Sequence, residues 1–200
     1  MEPFGLALGI SGEEFRPWRD LFFSRADSIL LVEGETDKQY FEMLRDPAHG
    51  AGQLNFPGEI FAYCGKDTLK QTVLLKFIRE RYKRFFVTFD LDARWEVEKP
   101  LQALGLELNK QYCPLGVDAP GKKDIEGLLP DDVKSAVRSA NSALVDQAMN
   151  GTPDERRGAK RELKRLYLEE FKTRATPGAA YFGEFYKYTK LVNKAMTTQC

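Results

Sequence analysis

The sequence predicts an α/β protein: a parallel sheet flanked by helices, with a helical extension at the C-terminus. Three observations carry this. Short apolar runs alternate with helix-period segments through the first 130 residues. The segments between them hold Gly and Pro in turn-forming clusters. After Pro130 the pattern turns helical throughout.

The elements follow in order. Residues 11–24 have helical character, with Ser11 and Glu14 at capping-box spacing and Pro17 as an alternative helix start. Residues 28–33 (SILLVE) read as a strand buried on both faces. Residues 36–46 follow as a helix with Tyr40, Phe41 and Leu44 on one face, and 47–58 form a Gly/Pro loop. A second strand is predicted at Ile60–Cys64 and a helix at Leu69–Arg81. A third strand runs Arg84–Phe89, a third helix Val97–Leu104 and a fourth strand Gln111–Leu115. Residues 131–149, 153–174 and 180–196 read as three helices, broken at Gly151-Thr152-Pro153 and Thr176-Pro177-Gly178. The expected organisation is an α/β domain over 1–130, including the leading helical segment, with a helical extension over 131–200 packed on it.

Composition narrows the class. Apolar residues make up 42% of the 200, enough to bury a core. Net charge is zero, yet residues 151–200 carry 11 Lys and Arg against 6 Asp and Glu, so the remainder is acidic by the same margin. An acidic body beside a basic region suits a metal site next to a phosphate-contacting surface; ordinary solvated helix faces give the same pattern. Cys64, Cys113 and Cys200 with the single His49 make neither a disulfide framework nor a zinc site, so a reducing cytoplasm is expected. No apolar stretch is long enough for a membrane span, and the N-terminus does not read as a signal peptide.

In a parallel sheet, ligands collect at the carboxyl ends of the strands. Strand one ends in Glu33, strand three in Asp90 and Asp92, and the segment after strand four carries Asp124 and Glu126. Asp37 lies four residues after Glu33. Six carboxylates on one rim would repel one another unless cations neutralise them, and hard Mg²⁺ prefers such oxygen donors. Two sub-clusters would hold two ions about 4 Å apart, an arrangement that serves phosphodiester displacement. Taken singly, each residue also fits a turn or a helix start.

These residues carry a family resemblance. Val32-Glu33-Gly34-Glu35-Thr36-Asp37 after an apolar strand resembles the Toprim glutamate motif, and Phe89-Asp90-Leu91-Asp92 resembles the Toprim DxD motif. Within the Toprim proteins, the segments LFFSRADSILLVEGETDKQYF, AYCGKDTLKQTVLLKF, GKKDIEGLLP and FYKYTKLVNKAM resemble the OLD (overcoming lysogenization defect) nucleases, class 2, over about residues 21–196. The resemblance implies a Toprim-like sheet and cleavage of DNA by a two-metal mechanism with Mg²⁺ or Mn²⁺. It places metal ligands at Glu33, Asp37, Asp90, Asp92, Asp124 and Glu126, and a catalytic lysine on the last helix. Lys187, Lys190 and Lys194 share a face there; Lys190 is the first choice and Lys187 the second, and a solvated lysine face is the plain alternative. Glu33, Asp90 and Asp92 are expected to hold one ion, with Asp37, Asp124 and Glu126 contributing to the second. Lys122, Lys123 and Lys187 are expected to meet DNA.

Two departures from the family stand out. Ala93-Arg94 follow the second Asp, where many Toprim proteins have Gly. No Gly-x-x-x-x-Gly-Lys-Ser/Thr is present, and Gly116 to Lys123 ends in Lys where the hydroxyl belongs. The expectation is therefore a catalytic region without the N-terminal ATPase that OLD proteins carry. The alternatives are a Toprim RNA-processing nuclease, a primase-like enzyme, or a non-catalytic module that binds metal or nucleic acid. Two further basic features stay open. Gly65-Lys66 fits a phosphate contact or a tight turn, and Arg79, Arg81, Lys83 and Arg84 fit a helix C-terminus better than a DNA track.

Overall fold

The computed structural model describes residues 21–69, 72–176 and 180–197, with the side chains of Lys66 and Ala180 outside that description. Most of the predicted leading helix lies outside it too; of residues 11–24 only 21–24 are described, and 21–23 are helical. Strands β1 (Ser28–Val32), β2 (Glu59–Ala62), β3 (Arg84–Asp90) and β4 (Tyr112–Leu115) form one sheet in the order β2-β1-β3-β4. Every pairing is parallel. The molecule is thus α/β, with the Toprim-like sheet and C-terminal helices expected from the sequence.

The connecting helices are α1 (Glu35–Arg45), α2 (Lys66–Leu69), α3 (Thr72–Arg81) and α4 (Arg94–Ala103). Alternation along each strand divides the core in two. Leu30, Val32, Ile60, Ala62, Phe86, Cys113 and Leu115 face one side; Ile29, Leu31, Val87, Phe89 and Tyr112 face the other. Helices α3 and α4 cover the second face through Leu74, Leu75, Ile78, Val97 and Leu101. Because both faces are covered, all five residues of β1 are buried, which is why that strand reads as a continuous apolar run.

The first face is covered by α1 and by the C-terminal helices α5 (Asp131–Ala140), α6 (Ser142–Asn150), α7 (Pro153–Arg174) and α8 (Tyr186–Thr197). Tyr40 of α1 meets Phe171 of α7 at 5.7 Å between ring centroids, and Phe171 meets Phe182 at 5.1 Å, both edge-on. Such pairs add about 0.5–1.5 kcal/mol each beyond their burial. Tyr188 of α8 donates its hydroxyl to Gly116 O at 2.9 Å, tying that helix to the end of β4.

Local chemistry moves several boundaries. The helix expected over 131–149 is broken at Asn141, whose side-chain amide bonds Val137 O at 2.9 Å and competes with helix continuation. The last predicted helix opens as a 3₁₀ stretch, Ala180–Phe185, a tight turn that brings Phe182 and Phe185 to the same buried side. The third helix starts at Arg94 rather than Val97, after a 3₁₀ turn over Leu91–Ala93. Thr152 and Glu155 form a reciprocal capping box with Pro153 in the first turn, which fixes the start of α7.

Candidate functional site

The chain runs from β1 outward to β2, then returns to place β3 on the other side of β1. The connections therefore diverge between β1 and β3, and a crevice opens above their carboxyl ends. Glu33 follows β1 and Asp90 ends β3. The Asp90 backbone N–H donates to Glu33 Oε2 at 3.2 Å, so these two acids meet directly above the switch point. Together with Gly34, Thr36, Asp37, Cys64, Gly65 and Lys164 they line a pocket of about 270 Å³.

Each wall has a local cause. Asp37 sits in the first turn of α1, where its carboxylate accepts the Gly34 N–H at 2.9 Å and faces the positive end of the helix dipole. Gly65 closes the turn after β2 with φ +104°, in the region that favours glycine, and its N–H bonds Glu33 O at 3.1 Å. Beneath the pocket the Tyr63 hydroxyl bonds Thr88 O at 2.9 Å, and Thr88 bonds Leu31 O at 3.2 Å, pinning the strand ends together. Asp124 caps the 3₁₀ turn Ile125–Leu128 by accepting Gly127 N–H at 3.0 Å, and the turn buries Glu126. A side chain on Gly127 would meet Lys122 O at 2.1 Å, so only glycine lets the two loop strands lie this close.

The electrostatics are those of crowded, desolvated acids. Burial, with Asp37, Glu33 and Glu126 nearby, pushes the Asp90 carboxyl up to about 9. Burial likewise raises Glu126 to about 7 and Asp37 to about 6, against the opposing pull of Lys164. Asp90 Oδ1 and Glu126 Oε1 are buried with no hydrogen-bond partner among the described residues. Lys164 Nζ stands 2.9 Å from Glu126 Oε2. Burial alone would lower the lysine's pKa, but Glu126, Asp90 and Asp124 outweigh it and raise it.

The structure redistributes the predicted site. It brings Glu33, Asp37 and Asp90 to one pocket, and Glu126 and Asp124 join them electrostatically through Lys164. Asp92 is exposed on the 3₁₀ turn after β3 and does not line the pocket; the turn rotates it away from Asp90. The lysine at the pocket is Lys164 of α7, not Lys190 or Lys187. Lys190 is exposed on α8, and Lys187 lies over the Tyr188 ring and 3.6 Å from Glu184. Lys122 and Lys123 are paired with Asp131 at 3.2 Å and Asp118 at 2.9 Å. The sequence held one signal for Lys164. It precedes Tyr167, Leu168 and Phe171 at i+3, i+4 and i+7, a cation in line with a buried apolar stripe.

The acids of the pocket offer hard oxygen donors, and a buried carboxylate oxygen with no partner among the described residues calls for a cation; on both counts these acids suit Mg²⁺ or Mn²⁺. Among the described residues, no three carboxylate, His or Cys groups stand in ready-made ligand geometry. Fold and site together define an α/β protein with an acidic pocket at the switch point of a parallel sheet. Comparisons with protein-family models, with curated proteins and with solved structures return no match. Among the described residues no helix is long and apolar enough to cross a membrane.

Proposed function

We propose that this chain is a divalent-metal-dependent nuclease that cuts DNA, of the Toprim type seen in OLD proteins. The observation that carries the reading is Asp90. A carboxylate oxygen buried with no hydrogen-bond partner among the described residues, beside Glu33 and Asp37, costs folding energy that a bound cation repays. Glu33, Asp37 and Asp90 would hold the metal, and Glu126 and Asp124 would join once Lys164 moves off Glu126. Mg²⁺ or Mn²⁺ held by these carboxylates would supply an activated water and would neutralise charge on the phosphate. Lys164 takes the role that the resemblance gave to the last helix: its ammonium, held at the pocket wall by α7, faces the phosphate and offsets charge developing on it. In an OLD-type protein an ATPase domain would be the partner of this region.

The test is plasmid nicking by the purified chain with Mg²⁺, Mn²⁺ or chelator. Metal-dependent nicking that Asp90→Asn and Glu33→Gln abolish is the expected result. The absence of ready-made three-ligand geometry favours a second reading, a metal- or nucleic-acid-binding module without cleavage of its own. DNA binding without nicking under every metal condition would select that reading instead.

A further inference from the structure

The first half of α7 carries a feature the pocket chemistry does not use. Arg156, Arg157, Lys160, Arg161 and Lys164, with Pro153, line one shallow groove on a single helix face. Arg156 and Lys160, Arg157 and Arg161, and Lys160 and Lys164 are like-charge pairs at i,i+4, an arrangement that weakens a helix. Elsewhere this chain commonly pairs its cations: Arg165 meets Glu162 and Glu169, and Arg174 meets Glu170 and Asp132. On the groove, Arg157 meets Asp154 and Lys164 meets Glu126, but Arg156, Lys160 and Arg161 make no ion pair with a described residue.

We propose that this ridge docks the phosphate backbone of duplex DNA and leads it to the acidic pocket. Lys164 is the join, because it lines both the groove and the pocket. From Arg156 to Lys164 the helix rises about 12 Å. At about 3.4 Å of duplex axis per phosphate on each strand, that length faces about three or four phosphates. Duplex DNA is the occupant because, among the described residues, no aromatic side chain lines the groove, whereas single strands are held largely by stacking. This inference deepens the nuclease reading and rests on it for what happens at the pocket; the docking itself is measured separately.

The experiment is fluorescence anisotropy with a DNA duplex of about 30 base pairs in chelator, over a salt series, using the full chain. The triple variant Arg156→Gln, Lys160→Gln, Arg161→Gln removes exposed charges only, and circular dichroism checks its fold. It should bind about tenfold or more weakly, and the slope of log affinity against log salt should flatten by about 2 to 3. Exchanging the charges instead (Arg156→Lys, Lys160→Arg, Arg161→Lys) should keep binding near wild type. Wild-type slope and affinity in the triple variant, or tighter binding of single-stranded DNA or RNA than of duplex, overturns the proposal. If the wild-type chain fails to nick while the triple variant loses binding, the ridge stands and the nuclease reading falls. If wild type nicks and the triple variant binds and nicks equally well, the ridge falls and the nuclease reading stands.

Discussion

Replacing Asp90 by Asn should stabilise this protein while abolishing its proposed activity, and the size of the gain follows from the site. The Asp90 carboxyl is held at about 9 against an ordinary value of 3.8. Between these limits the folded state keeps a proton that the unfolded chain has released. Stability therefore falls as pH rises through this range and is fully present only below the unfolded value. Near pH 7 the interval is about 3 pH units, and at about 1.4 kcal/mol each the cost reaches about 4 kcal/mol. Asn keeps the shape and cannot ionise, but leaves an amide short of partners, which returns about 1 kcal/mol. The net gain is then about 3 kcal/mol near pH 7; it falls to zero between about pH 4 and pH 5, and below that the amide leaves the Asn variant about 1 kcal/mol less stable. Urea unfolding in chelator at several pH values measures it. An Asn variant less stable than wild type near pH 8, or a difference that does not change with pH, would refute the reasoning.

Further outcomes follow from the same site. The metal-free wild-type protein should lose stability steadily between about pH 4 and pH 9, because Asp37, Glu126 and Asp90 all have raised folded-state values; thermal melts in chelator across that range check this. Adding Mn²⁺ near pH 8 should raise the melting temperature, by about 3 kcal/mol of stability at a hundred times Kd, and chelator should reverse it. Lys164→Met should leave Glu126 buried without its cation and cost about 1–3 kcal/mol, more near pH 8 than near pH 6, as read by urea titration. Gly127→Ala forces a methyl against Lys122 O and should cost about 1–3 kcal/mol and disturb the Asp124–Glu126 turn. Gly158→Ala should do the opposite, since among the described residues nothing beyond the helix's own backbone lies within 4 Å of the added carbon, and should gain about 1 kcal/mol in helix α7.

The sheet was legible because burial on both faces leaves an unmistakable apolar run, as in Ser28–Val32. Glu33 and Asp90 were legible because strand ends are where a parallel sheet collects its ligands. Asp92 was not. Whether two residues beyond a strand remain on its rim depends on the turn, and here a 3₁₀ turn carries Asp92 into solvent. Lys164 was missed because its place depends on how α7 packs across α1, a long-range contact that no local pattern encodes; the contact is made by Tyr40 against Phe171 and by Lys172 to Gln39 at 2.9 Å. The break at Asn141 was hidden by an apolar periodicity that continues on both sides of it.

The crowded acids above β1 and β3 form the proposed cation site. Anomalous scattering from crystals soaked in Mn²⁺ addresses it without depending on substrate or turnover. The account predicts a manganese peak among Glu33, Asp37 and Asp90, lost in Asp90→Asn. A pocket that stays free of manganese at saturating concentration, with Lys164 still seated on Glu126, would contradict it.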